Sequence, residues 1–170
     1  MTTISTIISP STPPRRYVVA TDGACRGNPG PGGWGALLLS YEGDTVRGRR
    51  ELSGARPRTT NNAMELTAAI KALEWLRPQN PAIPITVISD SQYVIKGMTE
   101  WRHGWEARGW RNAEGHPVAN LELWQALIAA AEGRGVDWVW VRGHAGHPEN
   151  EEADKLGNAA IDRMLARKRA

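Results

Sequence analysis

The order of strand-like and helix-like segments is the sequence feature that most constrains the fold of this chain. Three strand-like segments come first, and strands then alternate with helices. The patterns predict strands over residues 17–24, 34–41, 45–53, 85–89 and 137–141, and helices over 61–77, 91–107 and 121–132 and from Pro148 onward. This order predicts an α/β fold with a mixed five-stranded sheet, the first three strands antiparallel, flanked by helices.

Glycine, proline and short polar residues mark where regular structure is expected to stop or start. Gly27–Gly33 alternates Gly with Pro, which predicts an irregular loop between the first two strands. Gly97 predicts a break in the helical pattern that follows the fourth strand. Thr60 or Asn61 is expected to cap the first helix, and Asn120 the helix before the fifth strand.

Length, charge and cysteine content place the chain in a broad class. The 170 residues fit one domain, expected over residues 15–166, after an uncharged Ser, Thr and Pro-rich tail over residues 1–14 that is expected to be flexible. A single cysteine, with neither a long apolar run nor a secretory signal, favours a cytoplasmic protein with no membrane contact. The net charge of +3 mildly favours a polyanionic partner, although a solvated basic face explains it equally well.

Four carboxylates stand where packing alone does not call for an acid. Asp22 lies near the end of the first predicted strand, and Asp90 directly follows the apolar fourth strand. Glu65 and Asp154 lie on the sheet-facing sides of the first and last predicted helices. Buried carboxylates are costly unless something pairs with them, and carboxylate oxygens suit a hard cation such as Mg²⁺. The four acids therefore suggest a divalent-cation site.

Each of these acids also has a plain structural explanation. An Asp after a strand commonly forms a turn or caps the next element, which would account for Asp22 and Asp90. Glu65 fits the favourable interaction of acids with the start of a helix, and Asp154 could simply be solvated. Spacing along the sequence does not show that the four side chains meet.

Four separated segments resemble the signature segments of type 1 ribonuclease H, the bacterial form of that family. They are TDGACRGNPGPGGWGA (21–36), TTNNAMELTAAI (59–70), SDSQYV (89–94) and RGHAGHPENEEAD (142–154), in the family's order and with similar spacing. The resemblance implies a ribonuclease H-like fold and endonucleolytic hydrolysis of the RNA strand of RNA–DNA hybrids, largely independent of sequence. It also implies a two-metal-ion mechanism with Mg²⁺, for which Mn²⁺ is a plausible substitute, and products with 5′-phosphate and 3′-hydroxyl ends.

The resemblance assigns a catalytic set to particular residues. The implied ligands of the two metal ions are Asp22, Glu65, Asp90 and Asp154. His144 is implied to help proton transfer or product release. An imidazole titrates near neutral pH, and the glycine-flanked loop RGHAGH would let this side chain move.

The resemblance also assigns nucleic-acid contacts. The residues implied to meet the minor groove and the 2′-hydroxyl groups of the RNA are Cys25, Asn28, Asn61, Asn62 and Gln92. Those implied to grip a phosphate of the DNA strand are Arg58, Thr60 and Asn120. Because phosphate contacts carry no base information, they imply affinity and register without sequence choice.

Residues 96–119 resemble the basic protrusion, or handle, with which the family holds the hybrid. Trp101 and Trp105 recur there, and they could stack on sugars or act as packing anchors. Glu106 and Ala107 stand where the bacterial form usually has Lys, and residues 96–120 carry four Lys or Arg against three acids. We therefore expect this handle to contribute less to binding, and to its salt dependence, than is usual.

The expected partner is an RNA–DNA hybrid, and the expected state is a monomer. Two alternatives stay open at this point: another nuclease of the same fold, such as a resolvase or integrase core, and a non-catalytic hybrid-binding module. The segments that resemble the 2′-hydroxyl-reading loop and the handle argue against the first. The presence of all four implied metal ligands argues against the second.

Overall fold

The computed structural model describes residues 12–143 and 145–169. Its strands are β1 (Arg15–Cys25), β2 (Gly30–Glu42), β3 (Thr45–Thr59), β4 (Ile85–Ser89) and β5 (Val136–Trp140). Its helices are α1 (Asn61–Leu76), α2 (Gln92–Lys96), α3 (Arg102–Ala107), α4 (Leu121–Ala131) and α5 (Pro148–Arg169), with a π-helical turn at Gly97–Trp101 between α2 and α3.

The five strands form one mixed sheet in the order β3-β2-β1-β4-β5. β1 pairs antiparallel with β2, and β2 pairs antiparallel with β3. β4 runs parallel to β1 on one side and to β5 on the other. The predicted fold class, a mixed sheet whose first three strands are antiparallel, is confirmed.

The side chains of β1 point alternately to the two faces of the sheet and contribute to a hydrophobic core on each face. Val19 is buried in the larger core, on the face covered by α1 and α4. Its neighbours Val18 and Ala20 are buried on the other face together with Ala153 of α5. The apolar stripe of α1 lies wholly in the larger core, as its helical spacing predicts: Leu66, Ala69, Ile70, Leu73 and Leu76.

The prediction of an irregular loop over Gly27–Gly33 is wrong for its second half, because β2 begins at Gly30. The register with β3 shifts between Gly30 and Gly32, so Pro31, which has no N–H to donate, falls in a bulge. In this segment glycine also allows close packing of α5 against β2. A Cβ on Gly33 would lie 2.7 Å from Cγ1 of Ile161, so α5 can approach β2 only where side chains are missing.

The third strand is longer than the predicted 45–53, because β3 continues to Thr59. It is an edge strand, and an edge strand tolerates Pro57, whose missing donor would break an internal ladder. The predicted break at Gly97 is found as a change of helix type, because α2 ends at Lys96 and a π-helical turn begins at Gly97. Gly97 keeps right-handed helical geometry (φ −58°, ψ −46°), and a Cβ there would collide with the ring of Trp124.

The sequence predicts a flexible tail over residues 1–14, followed by a single domain over residues 15–166. Residues 1–11 lie outside the described part of the chain, and residues 12–14 are exposed and have no regular structure. α5 extends to Arg169, three residues past the predicted boundary. None of the described helices is long and apolar enough to cross a membrane.

Candidate active site

Three carboxylates converge at one edge of the sheet. Asp22 lies on β1 and Asp90 follows β4, each one residue beyond the parallel pair Thr21↔Ser89. Glu65, in the second turn of α1, joins them from above the sheet. One oxygen from each of the three carboxylates lies within 4.8 Å of the other two. Parallel pairing of β1 with β4 is therefore what brings two acids distant in sequence to the same place.

The backbone of α1 rests directly on β1 beside this cluster. A Cβ on Gly23 would lie 2.6 Å from the carbonyl carbon of Met64 and would overlap the backbone nitrogen of Glu65. The helix begins just before this contact, where Thr60 is its N-cap and accepts a hydrogen bond at Oγ1 from the amide of Ala63 at 3.2 Å. Because Gly23 has no side chain, α1 can lie close enough to β1 for the carboxylate of Glu65 to reach that of Asp22.

Two of the three carboxylates in the cluster are largely withdrawn from water, and Asp90 is half-buried. Asp22 is 6% exposed and Glu65 is 4% exposed, and Oε2 of Glu65 is buried without a hydrogen-bond partner among the described residues. Burial, reinforced by the negative charges of Glu65 and Asp90, raises the pKa of Asp22 to about 11. Burial and the charge of Asp90 raise the pKa of Glu65 to about 8. With no cation present, the Asp22–Glu65 pair therefore retains protons at neutral pH.

A divalent cation fits this donor set. The ligands on offer are carboxylate oxygens, which hard cations prefer, and one of them is a buried oxygen that lacks a partner. The same negative charges that disfavour ionisation of Asp22 and Glu65 would be offset by a bound cation. The expectation of a divalent-cation site is consistent with the buried cluster of Asp22, Glu65 and Asp90.

Asp154, on α5, faces the same place from the other side of the sheet edge. It lines a cleft of about 420 Å³ with the three clustered carboxylates and with Cys25, Asn61 and Ser91. It is half-buried, and its Oδ1 accepts a hydrogen bond from Nδ2 of Asn158 at 3.1 Å. Asp154 therefore belongs to the cleft, although it is not one of the three carboxylates with mutually close oxygens.

Asp90 is held by groups that the sequence did not single out. Nε1 of Trp140, the last residue of β5, donates to its backbone carbonyl at 3.0 Å. Ser89 accepts a hydrogen bond at Oγ from the amide of Ser91 at 3.0 Å and orders the turn between β4 and α2. A Cβ on Gly143 would lie 2.7 Å from Oδ2 of Asp90, so this loop residue lies against the cluster. His144, the residue predicted to assist proton transfer, lies outside the described residues.

The predicted minor-groove residues begin beside the carboxylates. Cys25 and Asn61 both line the cleft. Oδ1 of Asn28 accepts a hydrogen bond from the amide of Asn61 at 3.1 Å, which ties the loop after β1 to the start of α1. Asn62 and Gln92 are exposed at the first turns of α1 and α2 and are not among the residues that line the cleft.

The predicted phosphate-binding residues lie at the end of β3 and at the starts of α1 and α4. Arg58 is exposed near the end of β3, and Thr60 follows it at the cap of α1. Asn120 directly precedes α4. The predicted position of Asn120 as the N-cap of α4 is confirmed, but its side chain makes no capping hydrogen bond. The residue adopts left-handed geometry (φ 56°) and donates from Nδ2 to the hydroxyl of Tyr93 at 3.1 Å.

The tryptophans of the handle segment pack into an aromatic cluster. Trp105 is 9% exposed, and its ring centroid lies 5.0 Å from that of Trp124. Trp101 is 39% exposed and makes an edge contact with Tyr93 at 6.0 Å. Tyr93 was not predicted from the sequence, yet its hydroxyl accepts hydrogen bonds from both Asn120 and Trp124. Trp105 is thus a packing residue, and Trp101 keeps an open face.

Comparison with known proteins assigns the family. The family model described as RNase H matches residues 14–162. A ribonuclease H of Halorhodospira halophila is 58% identical over 147 residues, which are 86% of this chain and 93% of the relative. The chain belongs to the ribonuclease H family. Further relatives at 52–57% identity carry the same name, so the prediction of a ribonuclease H enzyme is confirmed.

Solved structures of the ribonuclease H family agree with this assignment. LC9-RNase H1, a type 1 RNase H with the type 2 active-site motif, is 36% identical and superposes with a TM-score of 0.78 over 90% of this chain and 75% of that one. LC11-RNase H1, solved in complex with an RNA/DNA hybrid, is 27% identical with a TM-score of 0.66 and covers 88% of this chain and 99% of that one. The resemblance to type 1 ribonuclease H is therefore confirmed.

Proposed function

We propose that this chain cuts the RNA strand of RNA–DNA hybrids endonucleolytically, at the cleft formed by Asp22, Glu65, Asp90 and Asp154. The observation that carries the proposal is the convergence of three carboxylates, two of them nearly inaccessible to water, in a chain of the ribonuclease H family. The hybrid bound by LC11-RNase H1 supports the choice of substrate.

The cofactor we propose is Mg²⁺, as two ions, with Mn²⁺ as a substitute. Asp22, Glu65, Asp90 and Asp154 would hold them, because an all-carboxylate donor set suits cations that prefer oxygen. When bound, the cations would lower the pKa of the attacking water and offset the negative charge that develops on the phosphodiester. The expected products carry 5′-phosphate and 3′-hydroxyl ends.

The residues around the carboxylates would keep their geometry fixed during the reaction. Trp140 and Ser89 hold the backbone at Asp90, and Gly23 sets the position of Glu65. A displacement of about 1 Å at such groups can cost about 10²-fold in rate, so these contacts matter although they do not touch the substrate. We assign to His144 the transfer of a proton or the release of product, and the contact of its neighbour Gly143 with Asp90 supports this assignment.

Recognition of the RNA strand would lie beside the carboxylates. We propose that Cys25, Asn28, Asn61, Asn62 and Gln92 meet the minor groove and its 2′-hydroxyl groups. Cys25 and Asn61 line the cleft itself, which supports their place nearest to the scissile phosphate. The hydroxyl groups are absent from DNA, so contacts to them would restrict cleavage to the RNA strand.

Contacts to the DNA strand would supply affinity without sequence choice. We propose that Arg58 and Thr60 bind a DNA phosphate at the start of α1. Asn120 would bind that phosphate together with them. Trp101, whose ring keeps an exposed face, would contact the hybrid, with Trp105 packed against it. That the protein acts as a monomer and in the cytoplasm stays a prediction of the sequence.

The proposal is tested by cleavage of a labelled RNA–DNA hybrid with Mg²⁺, beside RNA–RNA, DNA–DNA and single-stranded RNA of the same sequence. We expect cleavage of the RNA in the hybrid alone, with loss of activity on chelation. Binding of hybrid without cleavage in either Mg²⁺ or Mn²⁺ would instead indicate a binding module. Cleavage of duplex or branched DNA would indicate another nuclease activity of the same fold.

A further inference from the structure

A second polar cleft lies at the other end of the strands from the carboxylates, where β5 begins. It has a volume of about 240 Å³, and its lining residues are Met98, Arg102, Ala131, Arg134, Val136 and Trp138. β5 begins at this cleft and ends at Trp140, which contacts Asp90. Four residue steps along a strand span about 13 Å, so the two clefts are well separated.

Arg134 lines this cleft and has an unused pair of hydrogen-bond donors. Its Nη1 donates to the carbonyl oxygens of Leu76 at 3.3 Å and Gln79 at 3.0 Å, which fixes the guanidinium at the C-terminal end of α1. Its Nε and Nη2 are buried and have no hydrogen-bond partner among the described residues. These two nitrogens lie on the same edge of the guanidinium, the edge that donates two parallel hydrogen bonds to a carboxylate or a phosphate.

Arg102, at the start of α3, lines the same cleft and has a third unused donor. Its Nε is also buried without a partner in the described part of the chain. In that part, neither guanidinium has a carboxylate within 4.0 Å. Two like charges beside one small cleft repel each other, and buried donors without partners are costly. An anion between them would satisfy the donors and offset both charges.

We propose that Arg102 and Arg134 form a phosphate-binding site that is separate from the carboxylate cleft. The edge of Arg134 alone would satisfy the two oxygens of a carboxylate. The additional donor of Arg102, from a different element, suits an oxyanion with further acceptor oxygens. The phosphate group could belong to a small molecule such as a mononucleotide or to a nucleic-acid backbone, since both present the same chemistry to two guanidinium groups.

The test is thermal unfolding of the full chain in EDTA, with phosphate replacing chloride at constant ionic strength. EDTA removes divalent cations that would otherwise recruit phosphate to the carboxylates. At a phosphate concentration ten times Kd, we expect Tm to rise by roughly 3 to 6 °C. Titration calorimetry should show at least about ten-fold weaker phosphate binding in Arg102→Met and in Arg134→Lys, because each loses part of the donor set.

Arg77→Gln is the matched control. Arg77 donates to the carbonyl of Ala129 at 2.7 Å near the same junction of α1 and α4, but it does not line the cleft. This variant should keep the phosphate response of the wild type. An equal rise in Tm with acetate, no rise with phosphate, or unchanged phosphate affinity in both Arg102→Met and Arg134→Lys would overturn the proposal.

Two further ligands identify the source of the phosphate group. If AMP behaves as inorganic phosphate does and the hybrid affinity of Asp90→Asn is unaffected by adding Arg102→Met, the site takes a small phosphate ligand. If adding Arg102→Met weakens hybrid binding and lowers its salt slope by about one, the site takes a backbone phosphate. Either result supports a phosphate site at this position.

Discussion

Gly23 of β1 and Glu65 of α1 are in direct backbone contact, and the contact leaves no room for a side chain at position 23. We expect Gly23→Ala to lift α1 from β1 and to move the Glu65 carboxylate away from Asp22. The expected cost is about 1–3 kcal/mol in the free energy of unfolding and about 10²-fold in kcat. Urea denaturation and steady-state cleavage of a hybrid would measure the two effects.

Gly135→Ala is the control for that substitution. A Cβ on Gly135 would meet nothing within 4 Å, so stability should change by less than about 0.5 kcal/mol, with activity preserved. Wild-type activity and stability in Gly23→Ala would show that the contact does not determine the position of Glu65.

The stability of the metal-free protein should fall as the pH rises. The pKa of Asp22 is raised to about 11 and that of Glu65 to about 8, so between about pH 4 and these values the folded state binds more protons than the unfolded state. Each proton held only by the folded state makes the free energy of unfolding fall by about 1.4 kcal/mol per pH unit. Urea denaturation in EDTA at pH 5.5 and at pH 8 would measure this slope.

Asp22→Asn should flatten that slope and, at pH 8 in EDTA, should unfold at higher urea concentration than the wild type. The substitution removes a buried group whose ionisation is disfavoured in the folded state. Asp137→Asn, at an exposed position of β5, should leave the slope unchanged. A wild-type protein equally stable at both pH values would contradict the protonated state of the cluster.

Binding of Mg²⁺ should release protons from the same cluster. The cation and the protons compete for the carboxylate oxygens, so the affinity should increase as the pH rises from 6 to 8, by up to about ten-fold per pH unit for each proton displaced. Titration calorimetry in two buffers of different ionisation enthalpy would count the protons released. An affinity independent of pH would mean that the cation binds away from Asp22 and Glu65.

Two tryptophans of the handle should respond differently to truncation. Trp105 is buried against Trp124, so Trp105→Ala should cost about 3–5 kcal/mol in the free energy of unfolding. Trp101 keeps an exposed face, so Trp101→Ala should cost about 1 kcal/mol or less and weaken hybrid binding by about ten-fold. Urea denaturation would measure the change in stability, and fluorescence anisotropy would measure the change in hybrid affinity. Equal losses of stability in the two variants would contradict the difference in burial.

The order of elements and the positions of the acids were predictable from the sequence. Periodicity gave the five strands, because buried strands and amphipathic helices leave different apolar spacings. Each acid alone had an ordinary structural explanation. Only the parallel pairing of β1 with β4 shows that Asp22 and Asp90 lie side by side, and pairing partners are not written in local periodicity.

Long-range contacts explain what local signals did not show at Gly97 and Asn120. Gly97 and Asn120 carry local signals for a helix break and a helix cap. Position 97 requires glycine within the helical segment, because a side chain there would collide with the ring of Trp124. The side chain of Asn120 donates a hydrogen bond to the hydroxyl of Tyr93 instead of to the first turn of α4. Arg102 counts among the charges of the handle, and no local signal indicates that it also lines a cleft with Arg134, a residue distant in sequence.

The most direct test of the account is single-turnover cleavage of one RNA–DNA hybrid in Mg²⁺ by the wild type, Asp90→Asn and Asp137→Asn. Both substitutions remove one carboxylate, but only Asp90 lies in the cluster. We predict that Asp90→Asn loses at least about 10³-fold in rate, while Asp137→Asn stays within about two-fold. Cleavage by Asp90→Asn at the wild-type rate would contradict the claim that the clustered carboxylates carry the reaction.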